Sequence, residues 1–213
     1  MDQLKCKVCG LTDPQNVAEV SAQLPDYVGF IFYPRSLRYV GHNPDPALFS
    51  AVFEGVEKTA VFVNEYYERI IEITEKFGIR TIQLHGMESP EICNSLRFHG
   101  LEVIKVFPGD QLENVRLLKD YEEAADYFLF DTPTRTHGGS GRKFDWTRLE
   151  NCRTPKRFFL SGGISVDDAE HLQALDLKGL YGVDINSRFE TAPGVKDPVL
   201  VGDFINTLRN GKN

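Results

Sequence analysis

Short apolar segments recur along the chain, and each is followed by a polar turn and then by a segment with helical spacing. Their β-branched and aromatic content predicts strands rather than buried helices. The predicted strands are Leu4–Cys9, Tyr27–Phe32, Thr59–Val63, Arg80–Leu84, Glu102–Val106, Phe128–Asp131, Arg157–Leu160 and Leu180–Asp184.

Helices are predicted between these strands. The clearest is Tyr66–Phe77, which carries an apolar stripe and ends before Gly78. A second begins at Ser89, an N-cap residue followed by proline at the first helical position. The other predicted helices are Pro14–Ser21, Pro46–Val52, Leu112–Asp120, Trp146–Glu150, Val166–Ala174 and Asp197–Leu208.

Eight consecutive strand–helix units within 213 residues predict an α/β chain folded as one (β/α)8 TIM barrel, a single domain over residues 1–213. The competing architecture is an open, doubly wound sheet. That fold normally carries a G-x-G-x-x-G turn after the first strand, whereas residues 9–12 read CGLT. The number of units therefore favours the barrel.

The charge of the chain limits which classes of partner it can be expected to bind. The chain has 24 basic and 31 acidic residues, a formal net charge of −7, and no block of Lys and Arg. We therefore expect no nucleic-acid partner. The N-terminus lacks the apolar run of a secretory signal, and no stretch approaches the roughly 18 apolar residues of a membrane span. These features predict a cytoplasmic protein with no membrane partner.

The four cysteines are too few to staple a chain of this length, so reduced thiols are expected. Cys6 and Cys9 form a CxxC pair, which could suggest zinc or redox chemistry. However, positions three apart on a strand point to opposite faces, and no second CxxC is present to complete four ligands. We expect no metal site.

Active sites of (β/α)8 barrels lie at the carboxyl ends of the strands. Cys9 ends the first predicted strand and shares a face with Lys7, whose charge would favour the thiolate; the alternative is a small buried hydrophobic residue. Asp131 ends an apolar strand, where partial burial would keep its carboxyl protonated; the alternative is a turn cap. Other candidates follow the later strands, namely His85, Gly162, Gly163, Asp184, Asn186 and Ser187.

The turn at Gly162 and Gly163 and the loop after the eighth strand present backbone amides where barrels often bind phosphate, although the glycines could serve the turn alone. Arg38 could bind a carboxylate through two hydrogen bonds, or could be an ordinary surface arginine. His85 could be reactive or structural. The Gly-rich segment 138–143 could be a lid over an anionic substrate or a mobile linker.

Taken together, these segments resemble the phosphoribosylanthranilate isomerase family. The matching segments are KVCGLT at 7–12, GFIFYP at 29–34, SLRYV at 36–40, VFVN at 61–64, QLHG at 83–86, FDT at 130–132, GGSG at 138–141, FDW at 144–146, LSGGI at 160–164, VDINSRFE at 183–190, PG at 193–194 and KD at 196–197. They span nearly the whole chain, in order and at strand ends.

The resemblance implies an Amadori rearrangement of N-(5'-phosphoribosyl)anthranilate, with Cys9 as general base and Asp131 as general acid, and without metal or organic cofactor. It places the substrate phosphate at the amides of Gly162, Gly163, Asn186 and Ser187. It also places the anthranilate carboxylate near Arg38 and the sugar hydroxyls near Asp184. The expected partner is thus a small phosphosugar, for a protein that is a monomer or a homodimer.

Two departures from the family pattern affect these expectations. Leu37 replaces the proline that commonly precedes the arginine, so a less rigid loop would position Arg38. Cys6 is not part of the pattern and is expected to pack against the helices.

Two alternative functions remain. An indole-glycerol-phosphate synthase-like lyase would need catalytic Lys and Glu residues at strand ends, where this chain has Cys and Asp. A non-catalytic phosphosugar-binding barrel would need neither Cys9 nor Asp131.

Overall fold

A computed structural model describes residues 3–109, 115–131, 154–175 and 177–210. Eight parallel strands close into a barrel in sequence order, which confirms the predicted (β/α)8 architecture. The barrel strands are β1 (Lys5–Cys9), β2 (Tyr27–Ile31), β3 (Glu57–Phe62), β4 (Thr81–Leu84), β5 (Glu102–Pro108), β6 (Tyr127–Asp131), β7 (Phe158–Leu160) and β8 (Leu180–Ile185).

The described helices lie between these strands and after the last one. They are α1 (Pro14–Ser21), α2 (Ala47–Ser50), α3 (Tyr67–Phe77), α4 (Pro90–Phe98), α5 (Val115–Asp120), α6 (Ala169–Ala174) and α7 (Pro198–Asn210). A two-stranded antiparallel hairpin, β9 (Glu190–Ala192) and β10 (Val195–Lys196), follows β8.

Local signals in the sequence set several helix ends. The Asp13 carboxylate accepts a hydrogen bond from the backbone N–H of Asn16 at 2.8 Å and caps α1. Ser89 caps α4 ahead of Pro90, as predicted. Gly78 ends α3 in the left-handed conformation, with φ of 59°, which glycine adopts without steric cost.

Side-chain alternation on the strands creates two apolar layers. One face packs outward against the helices and forms the larger core. The other face points into the barrel, where Tyr27 of β2 meets Phe159 of β7 with ring centroids 5.7 Å apart. These strands are not neighbours, so the contact crosses the interior. Together with Tyr127 and Tyr181, these rings fill the amino-terminal end and leave polar groups at the other end.

Some predicted elements differ from the structure. The helix predicted at Pro46–Val52 is reduced to the four residues of α2. The segment predicted as one helix at Val166–Ala174 begins as a 3-10 turn, Val166–Asp168, before α6. The β9–β10 hairpin was not predicted, because strands of two and three residues show no alternation. The predicted helix at 146–150 and the Gly-rich segment 138–143 lie outside the described residues.

Within the described part of the chain, no helix has the length and apolar character needed to cross a membrane.

Candidate active site

Cys9 ends β1 and points into the barrel mouth, on the same face as Lys7. Its side chain is buried, with 4% exposed, whereas Cys6 belongs to the outer core packed against the helices. This separation confirms the expectation from strand alternation. The three described cysteines are free thiols. Among the described residues, no cluster of three or more His, Cys, Asp or Glu side chains could hold a metal ion.

A buried ion pair lies beneath Cys9. The Lys7 ammonium lies 2.9 Å from Asp184 Oδ1, and these residues are also backbone partners between β1 and β8. Burial lowers the pKa of Lys7, but Asp184 and Cys9 outweigh it and raise that pKa overall. Burial raises the pKa of Asp184, which Lys7 offsets only in part. Each partner's charge thus opposes the effect of burial on the pKa of the other.

The thiol pKa depends on opposing effects. Burial raises the pKa of Cys9, Lys7 lowers it, and Asp184 raises it again, so that the pKa of Cys9 lies above its ordinary value. The sequence correctly indicated a positive charge beside the thiol. It did not reveal that burial and the partner carboxylate would outweigh that charge.

Asp131 ends β6 and lies beside His85, which follows β4. His85 Nε2 is 3.5 Å from Asp131 Oδ2, and the two side chains are 38% and 29% exposed. The charge of Asp131 raises the pKa of Asp184, and that of His85 lowers it. The pKa of Asp184 thus depends on Lys7 below the mouth and on the two polar side chains that follow β4 and β6.

Arg38 is held by a carboxylate rather than left on a loose loop. Its Nε and one terminal nitrogen donate to the two Glu190 oxygens, both at 2.6 Å. The Arg38 backbone N–H also donates a hydrogen bond to Ser36 Oγ at 3.1 Å. The less rigid loop expected from Leu37 stays a prediction, and in the structure Glu190 orients the guanidinium.

Glu190 also binds a buried lysine. Lys196 Nζ lies 2.6 Å from Glu190 Oε1 and 2.6 Å from Asn186 Oδ1, and its side chain is fully buried. Burial lowers the pKa of Lys196 to about 8, against the opposing effect of Glu190. Burial would raise the pKa of Glu190, but hydrogen bonds from Arg38 and Lys196 lower it to about 2. We call these four side chains, Arg38, Asn186, Glu190 and Lys196, the hairpin cluster.

Two glycines leave room for side chains around the end of β1. A Cβ on Gly10 would lie 2.6 Å from Arg38 Cδ and 3.0 Å from Asn186 Oδ1. A Cβ on Gly29 would lie 2.9 Å from Cys9 Sγ. Glycine at both positions therefore keeps space for the arginine and the thiol.

The turn after β7 and the loop after β8 expose backbone donors. Gly162 and Gly163 have φ values of 96° and 71°, which glycine alone adopts readily. Within the described residues, the N–H groups of Gly162, Gly163 and Ser187 donate to no protein acceptor. The side chain of Asn186 is already occupied in part, because its Oδ1 accepts a hydrogen bond from Lys196 Nζ. The turn can thus offer two or more N–H groups to an anion.

A second buried network supports the loops after β3 and β4. Glu88 accepts hydrogen bonds from the backbone N–H groups of Asn64 and Gly86, and its carboxylate lies 2.9 Å from Lys105 Nζ. Glu88 and Lys105 are both almost fully buried. The network fixes the loop that carries His85.

Sequence reasoning did not identify Glu190, Lys196 or Glu88 as site residues. Each follows a strand by several residues, so the strand-end criterion does not select it. A charge that lies close to a Pro-Gly turn, as in residues 190–196, is the signal that could have drawn attention to the hairpin.

The barrel and the polar groups at its mouth define the class: an enzyme built on a (β/α)8 barrel, with acid–base groups at the carboxyl ends of the strands. Comparison with known proteins identifies the family. The family model described as N-(5'phosphoribosyl)anthranilate (PRA) isomerase matches residues 6–207.

Relatives and solved structures agree with this match. The chain is 42% identical to an N-(5'-phosphoribosyl)anthranilate isomerase of Phocaeicola vulgatus, over 95% of this chain and 97% of that relative. The phosphoribosyl anthranilate isomerase of Thermotoga maritima superposes with a TM-score of 0.82 at 31% identity, over 96% of this chain and 98% of that one. A further phosphoribosyl anthranilate isomerase structure, in complex with reduced 1-(o-carboxyphenylamino)-1-deoxyribulose 5-phosphate, gives a TM-score of 0.81 at 28% identity, with the same coverage. The chain therefore belongs to the N-(5'-phosphoribosyl)anthranilate isomerase family.

Proposed function

We propose that this chain catalyses the Amadori rearrangement of N-(5'-phosphoribosyl)anthranilate to 1-(2-carboxyphenylamino)-1-deoxyribulose 5-phosphate in tryptophan biosynthesis, with Cys9 as general base and Asp131 as general acid. One observation carries the assignment of roles. An inward-facing thiol at the end of β1 and a half-buried carboxyl at the end of β6 both lie at the carboxyl ends of strands of one closed barrel, so they border the same mouth. Family membership supplies the substrate.

The reaction needs one proton donor and one proton acceptor. The Asp131 carboxylic acid gives its proton to the furanose ring oxygen, the C1'–O bond breaks, and the nitrogen lone pair forms an iminium ion. The Cys9 thiolate then removes the C2' proton, and the electron pair of that C–H bond neutralises the iminium as an enolamine. Tautomerisation to the ketone completes an isomerisation without net oxidation. Each positioned proton transfer contributes on the order of 10²- to 10⁴-fold.

The ring-opened iminium serves as the electron sink, so the scheme requires no metal or organic cofactor. Lys7 supports the base because its ammonium stabilises the thiolate relative to the thiol. His85 Nε2 lies 3.5 Å from Asp131 Oδ2, so in this scheme the imidazole contacts the sugar beside the acid. In this scheme Asp184, which pairs with Lys7 through Oδ1, binds the sugar hydroxyls.

In this scheme the phosphate end and the carboxylate end of the substrate bind at different places. The N–H groups of Gly162, Gly163 and Ser187, with Asn186, bind the phosphate. Arg38 binds the anthranilate carboxylate with the donors that Glu190 leaves available. The ligand named in the related complex carries a carboxyphenyl group and a phosphate, which supports a site with two anion-binding ends.

The cellular setting is also proposed. We infer one catalytic domain over residues 1–213, acting in the cytoplasm on a small phosphosugar without nucleic-acid or membrane partners, as a monomer or homodimer.

Steady-state turnover of N-(5'-phosphoribosyl)anthranilate tests the function. Cys9→Ala and Asp131→Asn should each lower kcat by at least about 100-fold, because each removes one proton-transfer group. Substrate affinity should change little.

Matched controls come from the same chain. Cys93→Ala alters a buried cysteine in the outer core, and Asp126→Asn alters a carboxylate at the opposite end of the barrel, paired with Arg97. Both should retain near-normal kcat. Variants of Cys9 or Asp131 within a few-fold of wild type would refute the assigned roles. Binding of the substrate without turnover by the wild type would instead favour a non-catalytic phosphosugar-binding barrel.

A further inference from the structure

The hairpin cluster joins the two ends of the proposed substrate site. Glu190 receives Arg38 on both carboxylate oxygens, and Lys196 bridges Glu190 and Asn186. The backbone N–H of Gly194, in the hairpin turn, also donates to Glu190 Oε1 at 3.1 Å. The short β9–β10 hairpin thus places its own charged side chains between the carboxylate-binding and phosphate-binding ends.

This geometry fixes the direction of the guanidinium. A planar pair of hydrogen bonds to one carboxylate constrains Arg38 in both position and rotation. Two of its five N–H donors are used by Glu190, and the others remain for a ligand. Arg38 is then ordered before substrate arrives, which reduces the entropy lost on binding.

The charges of the cluster also matter. Arg38 and Lys196 supply two positive charges and Glu190 one negative charge, so the cluster keeps one excess positive charge. Without Lys196, the carboxylate of Glu190 would neutralise the arginine that is needed for an anionic ligand. Lys196 is itself anchored by paired hydrogen bonds between its backbone and the Asn16 side chain, both at 2.8 Å.

We propose that Glu190 and Lys196 are positioning residues, which pre-orient Arg38 for the substrate carboxylate and Asn186 for the phosphate end. This inference rests on the proposed function for the identity of the ligand. Neither residue is expected to touch the reacting atoms, so both should act on binding more than on the chemical step.

The test uses Glu190→Gln and Lys196→Met, which retain side-chain length and remove charge. Binding of the reduced carboxyphenylamino-deoxyribulose phosphate, measured by calorimetry, should weaken about 10- to 100-fold in both, since charge-assisted hydrogen bonds are lost or misdirected. KM should rise in parallel while kcat stays within a few-fold. Lys196→Arg should recover part of the affinity because it restores the positive charge.

A double-mutant cycle separates positioning from general damage to the fold. In an Arg38→Met background, Glu190→Gln should have little further effect on the dissociation constant, because it acts through Arg38. Asp26→Asn is the matched control: Asp26 likewise bridges a lysine and an arginine, Lys5 and Arg209, but at the opposite end of the barrel. It should lower Tm and leave ligand affinity unchanged.

Specific outcomes would overturn the inference. Ligand affinity within twofold of wild type in Glu190→Gln, or an equal loss with and without Arg38, would show that Glu190 does not act through the arginine. An unchanged affinity in Arg38→Met would do the same. Calorimetry does not require turnover, so a wild type that binds but does not isomerise would refute the proposed function and still decide the role of the cluster.

Discussion

At the scale of single residues, the protonation of the Cys9 thiol determines how much of the proposed general base is present at each pH. Burial raises the pKa of this thiol, and Lys7 only partly opposes that effect. At neutral pH the thiol form therefore predominates. The thiolate fraction grows about tenfold for each pH unit until the raised pKa is reached.

We expect the ultraviolet absorbance of the Cys9 thiolate, taken as the difference between wild type and Cys9→Ala, to grow from pH 7 upward and to reach half of its final value above the ordinary thiol pKa of 9.0. This absorbance reports the thiol alone, so the proton of Asp131 and the charge of Lys196 do not enter the profile. The same difference taken with Cys93→Ala is the control, because burial raises the pKa of that thiol to about 12. A Cys9 thiolate already fully formed below pH about 8 would contradict a raised thiol pKa.

The sequence pointed to some residues of the candidate site and not to others. Strand ends selected Cys9, Asp131 and Asp184, because the end of each strand can be read from a local pattern. Glu190 and Lys196 could not be selected in this way. Glu190 contacts Arg38, which is 152 positions away in the chain, and Lys196 contacts Glu190 and Asn186.

At the scale of elements, the β9–β10 hairpin owes part of its stability to one ionised carboxylate. Burial would raise the pKa of Glu190, but Arg38 and Lys196 lower it from 4.5 to about 2. A depressed carboxylate pKa stabilises the folded state above the unfolded value. That contribution is lost as the pH falls from about 4.5 toward 2.

We therefore expect the Tm difference between wild type and Glu190→Gln to be largest at neutral pH and to shrink on acidification below about pH 4.5. Thermal unfolding followed by circular dichroism from pH 7 downward measures this, at pH values where the unfolding is reversible. The solvent-exposed Glu54→Gln serves as the control and should show a small, pH-independent difference. A Glu190→Gln difference that stays constant with pH would show that the carboxylate charge is not the source of stability.

Element prediction depended on the length of each pattern. The eleven residues of α3 carry a full apolar stripe and a glycine stop, and they were predicted within one residue. The hairpin strands have three and two residues, too short for alternation to show. The Glu88–Lys105 network was also hidden, because its partners lie on different βα units and meet only after folding.

At the scale of the whole molecule, the barrel closes where the first strand meets the last. Eight repeated units favoured closure over an open sheet, because a (β/α)8 barrel is built from this number of consecutive strand–helix units. Closure also brings Lys7 and Asp184 together across 177 positions, and both are buried. No local sequence pattern could have predicted this pair, because its members are brought together only by closure of the barrel.

The stability of the barrel should depend on the Lys7–Asp184 pair, because its two opposite charges are buried where β1 meets β8. Asp184→Leu leaves the Lys7 ammonium buried without its partner, and Lys7→Met leaves the carboxylate buried alone. Breaking a buried pair from one side costs about 3–5 kcal/mol, whereas replacing both members by apolar side chains is often neutral. We expect both single variants to lose stability and the Lys7→Met/Asp184→Leu double variant to regain most of it.

Urea unfolding gives the free energies for this cycle, and the coupling energy should be large because the two side chains touch. Lys5→Met is the control on the same strand: Lys5 pairs with Asp26 but its side chain is 42% exposed, so its loss should cost only about 0–1 kcal/mol. The stable double variant should still turn over poorly, because it lacks the Lys7 charge beside Cys9 and the Asp184 carboxylate. If the losses in the free energy of unfolding are additive in the double variant, the two residues stabilise the barrel independently and not as a pair between β1 and β8.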